Sequence, residues 1–145
     1  MELKKEQIQS LIQEAMKARE MAYVPYSNFM VGAALLTEDG KVYTGCNIES
    51  VSYSPTSCAE RTALVKAVSE GERKFAAIAV VGGHRDGSIK KEADGYSAPC
   101  GVCRQFLYEF GKDMAVIVAI SLEEYYIHPL SELLPLGFGP EYLQD

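Results

Sequence analysis

Phe75-Ala76-Ala77-Ile78-Ala79-Val80-Val81 is apolar at every position, and its reading decides the fold. The run is too short for a helix here. No polar residue alternates through it, so it reads as a strand covered on both faces. Such a strand belongs at the centre of a sheet flanked by helices. Downstream, residues 82–98 form the only linker-like stretch, rich in Gly, Ser, Lys, Glu and Asp. Residues 101–110 then read as a helix closed by Gly111, and residues 114–120 as a second buried strand. Upstream, residues 58–70 are helical in composition, with Gly71 as the stop. Residues 50–57 are polar and irregular, with Pro55 inside. Before them, residues 29–37 and 41–49 read as strands joined by Glu38-Asp39-Gly40, a hairpin connection with Asp-Gly turn chemistry. Residues 3–23 form an amphipathic helix, with Ile8, Leu11, Ile12, Ala15 and Met16 at i, i+3, i+4, i+7, i+8 spacing. Val24-Pro25-Tyr26-Ser27-Asn28 breaks it. Residues 125–128 suit an edge strand, because Pro129 fits badly in a central one. Residues 131–134 are expected to make a helical turn. The order α-β-β-α-β-α-β-β contains two strand–helix–strand crossovers. It predicts an α/β domain with a mixed sheet and helices on both faces.

Length and composition set the limits around that core. The chain has 145 residues, and 48% of them are hydrophobic. One domain of this size buries about 70% of the surface its unfolded chain exposes, and needs no disulfide staples. Fourteen basic residues against 20 acidic ones give a net charge of −6. That balance opposes a protein held on polynucleotide by clustered Lys and Arg. It is neutral towards a small uncharged ligand. No apolar run approaches the ~18 residues of a membrane span. The first residues lack the apolar core of a signal peptide, so a cytoplasmic, reducing setting is the expectation.

In that setting the four cysteines point to metal binding or redox chemistry rather than disulfides. Cys58-Ala59-Glu60 and Pro99-Cys100-Gly101-Val102-Cys103 each fall where a loop enters a predicted helix. A helix start offers free N–H groups and the positive end of the dipole, which favour thiolate over thiol. Cys100 and Cys103 share one helical face. Two thiolates from one helix and a third from another make a three-ligand zinc site. Its open fourth position is the arrangement of catalytic zinc. Glu60 stands two residues from a ligand, placed to carry protons for a metal-activated water. Arg61 is placed to donate to a ligand sulfur and offset the excess negative charge of three thiolates. If Asn47 and Glu49 face the pocket from a strand, Cys46 faces away and stays outside the shell. Two other readings remain at this level. One is a redox dithiol of Cys100 and Cys103; the other is a structural zinc held by all four cysteines. His84, in the polar loop, reads as solvated, and neither it nor His128 has ligand spacing to a cysteine.

Together these residues resemble the cytidine deaminase family in its short homotetrameric form. The resemblance runs through Tyr26-Ser27-Asn28-Phe29-Met30-Val31-Gly32-Ala33-Ala34 and Gly45-Cys46-Asn47-Ile48-Glu49. It continues through Cys58-Ala59-Glu60-Arg61-Thr62-Ala63 and Pro99-Cys100-Gly101-Val102-Cys103-Arg104-Gln105 to Glu132-Leu133-Leu134-Pro135 and Phe138-Gly139-Pro140. It implies a three-layer α/β/α fold with a mixed five-stranded sheet, as one domain over residues 1–145. It also implies one Zn2+ per chain on Cys58, Cys100 and Cys103, with Glu60 as proton shuttle. Asn47 and Glu49 are then expected on the ribose hydroxyls, Phe29 near the base, and the Ala59 backbone at the pyrimidine edge. Phe138 is expected to reach a neighbouring subunit's site in a homotetramer. The implied reaction, in pyrimidine salvage, is hydrolytic deamination of cytidine and 2′-deoxycytidine to uridine and 2′-deoxyuridine with release of ammonia. In it a zinc-activated hydroxide attacks C4. The implied partner is a nucleoside, with neither nucleic acid nor membrane. A polynucleotide editor is opposed by the net charge; an aminonucleoside deaminase of the blasticidin type shares the zinc motifs. Three departures bear on substrate range. Ser50-Val51 stands where the family usually has Asn-Ala, Ala98 where it usually has Ser, and residues 82–96 are longer and more charged.

Overall fold

In the computed structural model, which describes residues 2–84 and 96–144, the apolar run at Phe75 becomes the middle of a five-stranded sheet. In chain order the elements are α1 (Lys5–Arg19), β1 (Phe29–Thr37), β2 (Val42–Cys46), α2 (Ala59–Ser69) and β3 (Phe75–His84). There follow α3 (Gly101–Tyr108), β4 (Ala115–Ala119), β5 (Tyr125–Pro129), α4 (Leu130–Leu133) and a 3-10 turn at Pro140–Tyr142. The strands lie side by side as β2-β1-β3-β4-β5. Only the β3–β4 pair is parallel, so the sheet is mixed as the element order predicts.

β3 shows why its sequence has no polar alternation. Ala77, Ala79 and Val81 pack with Ile8, Leu11, Ile12 and Ala15 of α1 on one face. Phe75, Ile78 and Val80 pack with Leu64 of α2 and Leu107 of α3 on the other. Helices on both faces bury both faces of the strand, and three layers result. β5 is one of the two edge strands, and Pro129 is its last residue.

Two glycines set how closely the helices approach. A Cβ on Gly32 of β1 would collide with the backbone of Ala15 and Arg19 in α1. A Cβ on Gly45 of β2 would lie 2.5 Å from the Ala63 nitrogen and 2.6 Å from the Ala59 oxygen in α2. The missing side chain at Gly45 therefore lets the first turns of α2 lie directly on β2.

Three elements end three or more residues away from the sequence expectation, while the others shift by only one or two. α1 ends at Arg19 rather than residue 23, because Tyr23 turns out to pair with Ile48 as an isolated bridge. β2 ends at Cys46 rather than residue 49; Ile48 leaves the ladder to bridge Tyr23 and Ser57. β3 runs on to His84, beyond the apolar run, because the first residues of β1 pair with Gly82, Gly83 and His84. Most of the charged 82–98 segment lies outside the described residues. No helix among the described residues is long and apolar enough to cross a membrane.

Candidate metal centre

The topology determines where the two cysteine clusters meet. β2 and β3 both run antiparallel to β1, so they are parallel to each other. α2 follows β2 and α3 follows β3. Both helices therefore start at the same end of the sheet, where loops after parallel strands collect ligands. Cys58 is the N-cap residue of α2, Cys100 is that of α3, and Cys103 lies in the first turn of α3. The three Sγ atoms lie within 4.8 Å of one another. Cys58 to Cys100 is 3.8 Å and Cys100 to Cys103 is 3.6 Å. These separations are far too long for a disulfide. They match the roughly 3.8 Å edge of a tetrahedron with Zn–S bonds of about 2.3 Å. Three soft thiolates in this array fit zinc. Cys46, a half-buried free thiol on β2, lies outside the cluster.

The electrostatics favour thiolate at Cys58. A hydrogen bond from the Cys103 thiol, with help from the Arg61 guanidinium, brings Cys58 down to about 5, against the opposing effect of burial. The same contact pushes the Cys103 thiol upward. Arg61 Nη2 donates to the Thr56 carbonyl at 3.1 Å and to Cys58 Sγ at 3.7 Å. Arg61 is thus moored to the loop before α2 and reaches the sulfur that needs a donor.

Glu60 is 4% exposed, one of two buried polar side chains among the described residues. Burial is the main cause that pushes its carboxyl up to about 7, and the Cys58 charge adds to the rise. A carboxyl that exchanges its proton near neutral pH is matched to general acid–base work. Ala59, fully buried, occupies the first position of α2. Its N–H belongs to the helix's opening set, which has no intrahelical acceptor.

The remaining sequence candidates lie outside the cysteine cluster. Asn47 lies just past the end of β2. Its Oδ1 accepts the Val31 N–H at 2.9 Å, and its Nδ2 donates to the Phe29 carbonyl at 2.8 Å. Glu49 accepts the Tyr26 and Ser27 N–H groups at 3.0 and 3.2 Å, and the Ser27 hydroxyl at 2.5 Å. The Ser27 hydroxyl is the main reason its carboxyl sits below the usual range. Both side chains therefore point back to the segment entering β1. Side-chain anchoring achieves this, whereas the sequence argument used a continuous strand through residue 49. Nothing in the sequence marked Ser27 or the Thr56 carbonyl as the groups that hold Glu49 and Arg61.

Phe29 is half-buried at the start of β1, with its ring edge-on to His84 at 5.2 Å and 83°. His84 is thus a strand residue packed on an aromatic ring, which corrects its reading as a solvated loop histidine. Cross-strand pairing made the difference, and no local pattern reports it. Phe138 is 54% exposed and stacks on Tyr142 at 5.1 Å. Gln105 Nε2 donates to its carbonyl at 2.7 Å and ties the tail to α3. Leu133 and Leu134 pack against the core, while Leu136 is fully exposed.

Residues 5–120 match the family model described as the cytidine and deoxycytidylate deaminase zinc-binding region. The chain is 47% identical to a cytidine deaminase of Sporosarcina psychrophila over 137 residues, 94% of each chain. It is 49% identical to one from Halalkalibacterium halodurans over 138 residues, covering 94% of this chain and 98% of the relative. Among solved structures, a cytidine deaminase from Burkholderia pseudomallei superposes with a TM-score of 0.78 at 48% identity, over 89% of this chain and 97% of that one.

Proposed function

The chain belongs to the cytidine and deoxycytidylate deaminase family, and on that premise we propose that it hydrolyses cytidine and 2′-deoxycytidine to uridine and 2′-deoxyuridine with release of ammonia. The observation that carries this reading is the junction of three thiols from two helix starts with a buried carboxyl that interacts with Cys58 and Cys103. Cys58, Cys100 and Cys103 are the residues that hold zinc. When bound, zinc supplies the Lewis-acid chemistry that makes water nucleophilic at neutral pH.

Glu60 performs the proton transfers. It takes a proton from the attacking water and gives it to N3 of the ring, which makes C4 electrophilic. After addition at C4 it carries the second proton to the amino group, and the C–N bond breaks to release ammonia. Its burial supports this role, because a carboxyl near neutrality can accept and return a proton within one turnover. Arg61 steadies the Cys58 thiolate through its Nη2 contact. The free N–H groups opening α2, at Ala59, face the pyrimidine edge.

Asn47 and Glu49 bind the ribose hydroxyls, and Phe29 packs beside the base. Their present hydrogen bonds to the 26–31 backbone support this, because those bonds preorganise both groups before a nucleoside arrives. Phe138, exposed and fastened to α3 through its carbonyl, contacts the site of a neighbouring subunit in a homotetramer. The enzyme works in pyrimidine salvage in the cytoplasm. The deciding assay follows ammonia release and loss of cytidine absorbance together, before and after zinc removal. Turnover that vanishes with zinc and returns with it is expected. No turnover on either nucleoside by protein with one zinc per chain would overturn the reading.

A further inference from the structure

We propose that His84 is a positioning residue for the nucleobase, holding the Phe29 ring in the plane it presents to the pyrimidine; this rests on the reading that Phe29 packs beside the base. In the β1–β3 ladder Phe29 and His84 are directly opposed, and Val31 is opposed to Gly82. Directly opposed residues project their side chains to the same face of the sheet. The rings meet edge-to-face, at 5.2 Å and 83°. This geometry is favoured by the aromatic quadrupole.

The other contacts show why one ring matters. The Phe29 backbone is already held: its N–H donates to Ser27 Oγ at 3.0 Å, and its carbonyl accepts from Asn47 at 2.8 Å. What remains free is the side chain. On the strand beside it, Gly82 leaves a gap. A Cβ there would lie 3.1 Å from Phe29 Cε1, 2.7 Å from Ser97 Cβ, and closer still to the Ser97 hydroxyl. Ser97 fills that gap, three residues before the Cys100 thiol. The Phe29 ring therefore has as neighbours the Gly82 position, which Ser97 covers, and the His84 ring. Removing the His84 ring leaves Phe29 free to tilt away from the base. The thiols and Glu60 lie on α2 and α3, which make no part of this pair. The expected loss is in nucleoside binding rather than in the chemical step.

His84→Leu and His84→Gln should each raise KM for cytidine by about 2- to 10-fold, the range expected for one aromatic pair. Turnover number should stay within about twofold, the signature of lost uniform binding. Zinc content should be unchanged. His84→Phe, which restores an edge, should return KM to near the parent value. The double variant Phe29→Leu/His84→Leu should be no worse than Phe29→Leu alone. A raised KM in Phe29→Leu with an unchanged KM in His84→Leu and His84→Gln would overturn this inference and leave the reading of Phe29 intact. An unchanged KM in Phe29→Leu would instead overturn that reading. Equal loss in His84→Leu and His84→Phe, with turnover number and melting temperature falling together, would reduce His84 to a structural role.

Discussion

The two faces of the sheet obey the same packing rule, yet only one carries chemistry. On one face α1 buries Ile8, Leu11, Ile12 and Ala15 against Ala34, Ala77 and Ala79. On the other, α2 and α3 bury Ala63, Leu64 and Leu107 against Leu35, Ile78 and Val80. Apolar burial alone does not separate them. Chain direction does. α2 and α3 each follow one of two parallel strands, so their N-termini converge at one sheet end. α1 instead precedes β1, the strand antiparallel to both. Two helix starts, each with free N–H groups and the positive end of its dipole, meet at the α2–α3 junction, and that junction holds Cys58, Glu60, Cys100 and Cys103.

This contrast can be broken by separating turnover from stability. The largest effect is expected at Glu60. Glu60→Gln removes the proposed proton carrier and should lower the turnover number by at least about 10²–10⁴-fold, the range of general acid–base catalysis. Zinc content, read by metal analysis, and melting temperature should stay near the parent values. Substantial turnover in zinc-loaded Glu60→Gln would remove the carboxyl from the mechanism.

The reverse signature belongs to the α1 face. Ile12 is fully buried there. Ile12→Ala should cost about 2–5 kcal/mol in denaturant unfolding through lost transfer energy and the cavity left behind. The folded fraction should keep its zinc and its KM. A selective rise in KM without loss of stability would mean that this face communicates with the site.

Asn47 lies between these extremes and sharpens the comparison. Its side chain satisfies one donor and one acceptor on the β1 backbone. Asn47→Ala should destabilise by about 1–3 kcal/mol, the cost of unpaired polar groups, and should also raise KM. Paired kinetics and unfolding measurements check both. A change in stability with KM unmoved would confine Asn47 to holding β1.

Local reasoning recovered much of the fold. The apolar run at 75–81, the Asp-Gly connection at 38–40 and the glycine stop at 71 all sit where their chemistry put them, because each signal acts over a few residues. Helix starts at Cys58 and Cys100 were legible for the same reason. Less legible were the ends of β2 and β3. Both depend on a partner strand or a distant bridge: Ile48 with Tyr23, and His84 with Phe29.

What the sequence determined by itself is the inventory: a doubly buried central strand, two crossovers, and thiols with a carboxyl at two helix starts. Those follow from hydrophobic period, turn chemistry and ligand spacing, which are written along the chain. Tertiary structure decided the convergence. It brought Cys58 within 3.8 Å of Cys100, aimed Arg61 at the Cys58 sulfur, and turned Asn47 and Glu49 towards the start of β1. It also moved His84 from an imagined solvated loop to the edge of the Phe29 ring. Long-range pairing sets these distances, and no residue carries a local mark of the neighbour that folding will bring to it.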